Sequence, residues 1–316
     1  MRRHLPVILI GLGAFLVTAA LVLRFYGSAQ LAVAEKDPRD VITMNASNAT
    51  VFVPSSQSEV TTDLTVKQKT VGDLEAAKDA PGGVVVWFTT TTRSTSEGVV
   101  VQQSMARTAL DASTGMAKPC CESFAEVVDQ AISKDQRNSL VLKFPFGTEK
   151  KTYEMWDSTS GKSVKATYRG TAEVEGMTAY RFEIKMPATV VGSQEVAAKS
   201  VGLTADGKVP ADRTYGINRT LFVEPRTGAI LNDVQDVNDT LTIDGQKVRT
   251  LFSGKLAYTD AQVKANVDKY GDRAATLKRF QSDIPAGSLV FGLLALGAGI
   301  LLMRGSTGRS GRRAGQ

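Results

Sequence analysis

Two stretches of the chain carry no charged residue: Leu5–Leu23, 19 positions, and Ile284–Met303, 20 positions. At about 1.5 Å rise per residue, each makes a helix roughly 30 Å long, the thickness of a bilayer's hydrocarbon core. Pro6 and Pro285 fall in the first turns, where a missing N–H costs little. A buried helix of a water-soluble core rarely runs so far without a polar face. The pattern therefore predicts a transmembrane helix at each end.

Between them the pattern changes to short β-branched runs separated by turn residues. Val84–Thr92 and Val99–Leu110 flank Ser-Glu-Gly and predict a hairpin; Ser163–Thr171 and Met177–Met186 flank Val174-Glu175-Gly176 and predict a second. A third series runs Arg219–Val223, Ala229–Val237, Thr240–Ile243 and Val248–Tyr258, with Asp244-Gly245 as a tight turn. The fold class is mainly β (α+β): an antiparallel domain of short strands with one or two packed helices, flanked by the terminal membrane helices. Glu122–Lys134, opening on Ser123-x-x-Glu126, has the apolar stripe of one packed helix. Ala261–Phe280, opening on Thr259-x-x-Gln262, has that of another and docks on the domain rather than forming a two-heptad coiled coil. The acid-x-x-Thr/Ser-Gly pattern at Asp111–Gly115, Asp157–Gly161 and Glu224–Gly228 predicts three turns; a calcium loop would need further oxygen ligands at alternating positions. Residues 25–69 read as linker and early strands, and 305–316 as a Gly/Arg tail near an anionic membrane face.

Charge adds a topology. Of the 38 basic residues in this 316-residue chain, six (Arg2, Arg3, Arg304, Arg309, Arg312, Arg313) lie outside the two helices, leaving 32 basic and 32 acidic residues between them. Both termini are thus expected in the cytoplasm, with a long extracytoplasmic loop. The expected layout is 1–4 cytoplasmic, 5–23 first span, 24–283 extracytoplasmic domain with a juxtamembrane helix at 260–280, 284–303 second span, and 304–316 basic cytoplasmic tail. Small-residue sites near Gly27-Ser28-Ala29 and Ala32-Val33-Ala34 would suit signal cleavage, but the apolar run exceeds the usual 7–15 residues, which favours an uncleaved anchor. The basic excess reports topology, and no Lys/Arg-rich patch in the middle invites nucleic acid.

Composition excludes most familiar catalytic sites. His4 is the single histidine, and two cysteines, Cys120 and Cys121, cannot make a disulfide framework or a four-cysteine zinc site. The adjacent cysteines would form a vicinal disulfide outside the cytoplasm, read either as a redox switch or, preferentially, as a structural element or two buried thiols. Aromatic and charged groups gather in Lys143–Asp157, where Phe144, Phe146, Glu149, Lys151, Tyr153, Trp156 and Asp157 make a candidate functional patch without phosphate-loop spacing. No catalytic residue, metal ligand or cofactor is expected; a hydrolase would require perturbed carboxylates in that patch.

The segments KFPFGTEKKTYEMWD (Lys143–Asp157), GLGAFLVTAALVLRFY (Gly11–Tyr26), ALDASTG (Ala109–Gly115), YRGTAEVEGMTAYRFE (Tyr168–Glu183) and LFVEPRTGAILN (Leu221–Asn232) resemble the DUF3068 family, also called the porin PorA family, of actinobacterial envelope membrane proteins. The resemblance implies an envelope location and, through the porin label, ion or small-solute passage; it brings no catalytic residues. A membrane β-barrel suits the residues poorly, because its strands need an apolar lipid face and aromatic girdles. The expectation is a non-enzymatic envelope protein whose β domain binds a lipid, glycan or protein partner, with a pore as the alternative. The bilayer is the expected environment, and the small-residue faces Gly11/Gly13 and Gly292/Gly297/Gly299 would permit homo-oligomerisation through the helices.

Overall fold

The computed structural model describes residues 4–125, 138–204 and 206–307. They divide into two compact units: Ala34–Gly271, and the terminal segments up to Val33 and from Asp272.

In the first unit, eleven strands form one antiparallel sheet: β1 (Arg39–Val53), β2 (Ser58–Gly72), β3 (Val84–Thr95), β4 (Val100–Asp111), β5 (Phe124–Ala125), β6 (Tyr153–Asp157), β7 (Lys162–Val174), β8 (Met177–Ala197), β9 (Lys208–Val223), β10 (Ile230–Ile243) and β11 (Gln246–Tyr258). Their order is β5-β4-β3-β2-β1-β11-β10-β9-β8-β7-β6, so two meanders meet where β1 pairs with β11. Two of the turns are two-residue hairpins with both residues at positive φ, Glu175-Gly176 (47° and 79°) and Asp244-Gly245 (49° and 74°). This is the mirror-image turn whose twist matches the flanking strands.

The sheet curls strongly. With strands about 4.8 Å apart, β3 and β11 would stand roughly 14 Å apart if it were flat. Instead the Arg93 guanidinium of β3 lies 5.6 Å from the centre of the Phe252 ring of β11. The two ends of the sheet are joined as well. Bridge pairs Leu110–Ala117, Met116–Leu140 and Leu140–Met155 connect β4 to β6 and close the sheet into a barrel at that level. The hydrogen bonds there run from Lys118 N–H to Ala109 O (2.9 Å), Ala117 N–H to Ser139 O (3.0 Å) and Leu140 N–H to Glu154 O (2.8 Å). Backbone groups that would otherwise be an open edge are thereby paired.

Alternation along the strands decides which residues face inward. Met44, Leu64, Val66, Tyr215, Ile217, Val237, Phe252 and Leu256 form one buried cluster; Leu140, Phe144, Met155, Phe182, Ile184, Leu221 and Val223 form another. The alternate positions face water and are polar: Asp63, Lys67 and Lys69 on β2, Lys165 and Arg169 on β7, Arg181 and Lys185 on β8, Asp236 and Asn238 on β10, and Lys255 on β11 are all exposed.

The strands are longer than the short runs the pattern predicts. β8 extends 21 residues, and the segments expected at Ala229–Val237 and Thr240–Ile243 are one strand, because Asn238 and Asp239 continue the pairing with β9 and β11. The early strands expected within residues 25–69 are two full strands of 15 residues each, β1 and β2. The helix expected over Glu122–Lys134 falls largely outside the described residues; within them Phe124–Ala125 is a strand against Ala106 and Arg107. Its capping residue is used differently: the Ser123 hydroxyl donates to Cys120 O at 2.9 Å and accepts from Ala109 N–H at 3.2 Å.

The terminal segments contain α1 (Leu5–Val22), a π-helical turn (Leu23–Gly27) and α2 (Ser28–Leu31). Toward the other end run α3 (Asp260–Lys278), a second π-helical turn (Arg279–Asp283) and α4 (Ile284–Thr307). The Thr259 hydroxyl accepts from Gln262 N–H at 3.1 Å, as the capping pattern predicts, while the Gln262 side chain instead accepts from Thr43 N–H at 3.0 Å. Val263, Val267 and Tyr270, in the part of α3 belonging to the barrel unit, pack on Val174, Ala179 and Leu231. Asn266 reinforces the contact by donating to Leu231 O at 3.1 Å.

Helices α1 and α4 pack through small residues. A Cβ on Gly13 would fall 2.6 Å from Leu296 Cγ and 2.7 Å from Gly292 O; one on Gly299 would fall 2.7 Å from Ile10 Cγ1. Gly11 and Gly297 face open space instead. Most other apolar side chains of the pair are exposed, among them Ile8, Phe15, Val22, Phe291, Leu294 and Leu301. Both helices are long and apolar enough to cross a membrane.

Candidate functional site

The residues of the candidate patch separate into different environments. Phe144 is fully buried, 4.6 Å from the Phe182 ring and 5.4 Å, edge-on, from Tyr153. Tyr153 accepts at its hydroxyl from Glu149 N–H at 2.8 Å. Trp156 packs on a further cluster containing Val85, Leu110, Ala117 and Val141. Phe146 lies under the Lys143 ammonium at 4.3 Å. Glu149 and Lys151 pair with each other on the surface at 2.5 Å, which raises the lysine's pKa. Asp157 faces the other way and accepts from the Tyr215 hydroxyl at 3.5 Å. Phe144, Tyr153 and the neighbouring Phe182 meet, while Glu149, Lys151 and Asp157 do not converge on one reacting position.

What organises Lys143–Asp157 is a pair of turns. In all three acid-x-x-Thr/Ser-Gly segments the glycine N–H returns to the acid's carbonyl at 2.9 Å. The glycines carry φ of 74° (Gly115), 64° (Gly161) and 70° (Gly228). The carboxylates accept from the turn itself: Asp111 from Thr114 N–H at 2.9 Å, Asp157 from Ser160 N–H at 2.7 Å, and Glu224 from Thr227 N–H at 2.7 Å. These oxygens are taken by backbone donors, the turn reading of the pattern. Residues Val141–Thr148 then lie between two of the turns. Val141 N–H donates to Gly115 O (2.9 Å) and Phe146 N–H to Ser113 O (3.0 Å) on one side. Phe144 N–H donates to Gly228 O (2.9 Å), Gly147 N–H to Arg226 O (3.0 Å) and Thr148 N–H to Pro225 O (2.7 Å) on the other. Three of the segments that carry the family resemblance are thus one interlocked structural unit.

The inner face also carries charge. On β9, Arg213, Tyr215, Ile217, Arg219 and Leu221 share one face by alternation, and Asp233 and Asp239 meet them from β10. Arg213 donates to both oxygens of Asp239 at 2.9 and 2.6 Å, and this bond raises the arginine's pKa further. Arg219 binds Asp233 at 2.6–3.1 Å; burial works against its charge, and Asp233 outweighs it. Gln235 adds a 2.9 Å bond to Asp233. Burial and the nearby acids raise the pKa values of Tyr215 and Tyr258, keeping both phenols neutral. The sequence reading missed this array, although Arg213 and Arg219 share parity with the apolar Ile217 and Leu221.

Cys120 and Cys121 are joined by a disulfide, with Cα atoms 3.8 Å apart. Cys121 and Glu122 both have positive φ, 63° and 49°. Glu122 then reaches Arg107 at 3.3 Å, whose Nε also holds Asp73 at 2.8 Å. Among the described residues, no group of three His, Cys, Asp or Glu side chains could hold a metal ion.

The sequence profile described as Porin PorA matches residues 5–301. A protein named Porin PorA from Corynebacterium resistens is 24% identical over 238 residues, covering 55% of this chain and 58% of that protein. Another of that name from Corynebacterium amycolatum is 24% identical over 126 residues, covering 32% of this chain and 33% of its own. The chain thus spans little more than half the length of the first relative and a third of the second. The family pattern and the two apolar terminal helices together mark a membrane protein. The match runs from the start of α1 through the whole barrel into α4, and the chain belongs to the PorA porin family.

Proposed function

We propose that this chain is a non-enzymatic, two-pass cell-envelope protein that holds its barrel outside the cytoplasm and engages an envelope lipid, glycan or protein there. One observation carries the reading: the strands turn polar residues outward, whereas α1 and α4 turn apolar residues outward. A lipid-facing strand would need the opposite arrangement, since a charge on the lipid face near the bilayer midplane costs roughly 2–4 kcal/mol. The barrel therefore suits water, and the helices suit lipid. The basic flanks support cytoplasmic termini.

The test is expression of residues 34–271 alone. A monomer recovered without detergent supports a water-facing barrel; a fragment that needs detergent and inserts into vesicles overturns it. Protease added to intact spheroplasts should cut the barrel and spare a tag on the C-terminal tail.

The relatives' name favours a second reading, passage of ions or small solutes. In this chain the inward positions of the barrel hold apolar side chains and ion pairs, so a pore would come from oligomerised helices. Single-channel steps from the full chain in planar bilayers, absent when the helices cannot associate, would support it.

A further inference from the structure

Arg93 stands apart from the other arginines on the barrel's inner face. It shares that face with Leu64 and Val66 through its pairing with β2 and reaches over the Phe252 ring. Arg213 and Arg219 each have a carboxylate in direct contact. Among the described residues, Arg93 instead has one hydrogen-bonded partner, the neutral Gln102 side-chain oxygen at 2.7 Å. Asp239 acts on it from a distance but is already held by Arg213. Burial depresses the pKa of Arg93, and Asp239 recovers only part of that loss. A guanidinium cannot shed its proton to relieve this, and a partly buried charge with no carboxylate in direct contact among the described residues costs free energy that a bound anion would return.

The wall beside it also differs from the rest of the barrel. Arg93 pairs with Gln102 of β4, and among the described residues β5 covers β4 only at Ala106 and Arg107. Arg213 pairs with Gly192 of β8, and β7 pairs with β8 only as far as Glu183. Among the described residues, Val101, Met186 and Val191 pack on one cluster at this level, so side chains rather than a strand ladder close the seam. Among the described residues, no strand pairing has to open for an anion to approach Arg93 from this side.

We infer that Arg93, with Gln102 beside it and Phe252 beneath it, is a binding site for an oxyanion of the carboxylate or phosphate type. The guanidinium fork matches two oxygens of such a group. The inference deepens the binding role proposed above and rests on it.

The test is calorimetric titration of the full-length protein, in chloride-free detergent buffer, with inorganic phosphate and separately with acetate. Saturable binding near one equivalent is expected, weakened at least about tenfold in Arg93→Gln and unchanged in Arg107→Gln, whose guanidinium pairs with Asp73 and Glu122. Phosphate binding with no response to acetate would mark a phosphate site; response to both marks a general oxyanion site. No saturable binding by the natural chain, or equal binding by Arg93→Gln, overturns the inference. If that variant does not fold, phenylglyoxal labelling of the natural chain decides: phosphate should slow modification of Arg93 about tenfold while leaving Arg219 unchanged, and no protection of Arg93 overturns the site. Failure of anion binding would leave the water-facing barrel standing, because that rests on the solubility of residues 34–271.

Discussion

Arg219 and Asp233 face each other across β9 and β10, joined by three hydrogen bonds of 2.6–3.1 Å, with the Asp233 side chain 2% exposed. Two charges are thus placed where the alternation of the strands calls for core residues. Removing one partner strands the other, a loss of about 3–5 kcal/mol, whereas replacing both with apolar side chains of similar volume is often neutral. Asp233→Ala should therefore lower denaturant stability by about that amount, and Arg219→Met with Asp233→Leu should recover most of it. A single variant as stable as the natural protein would show that the pair is not buried as described.

Acid should act through Asp111. Burial opposes its charge, but Thr114 N–H, the hydroxyls of Ser113 and Thr114, and Ser113 N–H together bring its pKa down to about 2. The unfolded chain titrates near 3.9, so this stabilisation is complete above about pH 4 and is lost as pH falls through the folded value. The contribution is about 2 kcal/mol. Stability measured against pH should fall more steeply between about pH 4 and 2 in the natural chain than in Asp111→Ala.

Gly228 and Gly147 separate two costs. Both have positive φ, 70° and 68°. A Cβ on Gly228 would fall against the carbonyls of Phe144 and Pro145, whereas one on Gly147 meets nothing within 4 Å. Gly147→Ala should cost about 1–2 kcal/mol from backbone strain alone, and Gly228→Ala about 2–3 kcal/mol more from displacing the segment it holds. Equal thermal shifts for the two would show that the interlock of Val141–Thr148 with this turn carries no stability.

The helix pair should discriminate between its glycines in the same way. Gly13→Val forces α1 away from Gly292 and Leu296, an overpacking cost of about 1–3 kcal/mol, while Gly11→Val points into open space and should be silent. Thermal melting of the full chain in detergent, followed by helical signal, checks both.

Much of the strand layout was readable because each signal was local. Val84–Thr92 and Val99–Leu110 announced β3 and β4, and Asp244-Gly245 supplied the left-handed conformations that one hairpin needs. The acid-x-x-Thr/Ser-Gly turns were readable for the same reason, since acid, hydroxyl and glycine lie within five residues. The strand lengths were less legible. Asn238 and Asp239 read as a break because polarity usually marks a turn, yet Asp239 is held by an arginine 26 residues away. The patch around Lys143–Asp157 was conspicuous through its aromatic rings and lysines, but nearness in sequence did not make it one site: Phe144 turns into the core while Glu149 and Lys151 stay at the surface.

By itself, then, the sequence determined the local chemistry of this protein: two uncharged apolar helices long enough to cross a membrane, hairpins set by turn residues, a single histidine and one adjacent cysteine pair. Those properties depend on bonds and periodicities within a few residues. Tertiary structure alone decided that the sheet curls until Arg93 reaches Phe252, that β4 joins β6 through Ala117 and Leu140, and that, among the described residues, Arg93 has no carboxylate in contact while Arg213 and Arg219 have one each. The first two depend on closure of the ring, which brings together residues tens to more than a hundred positions apart, and the ion pairs on the pairing of β9 with β10, all beyond the reach of any local pattern.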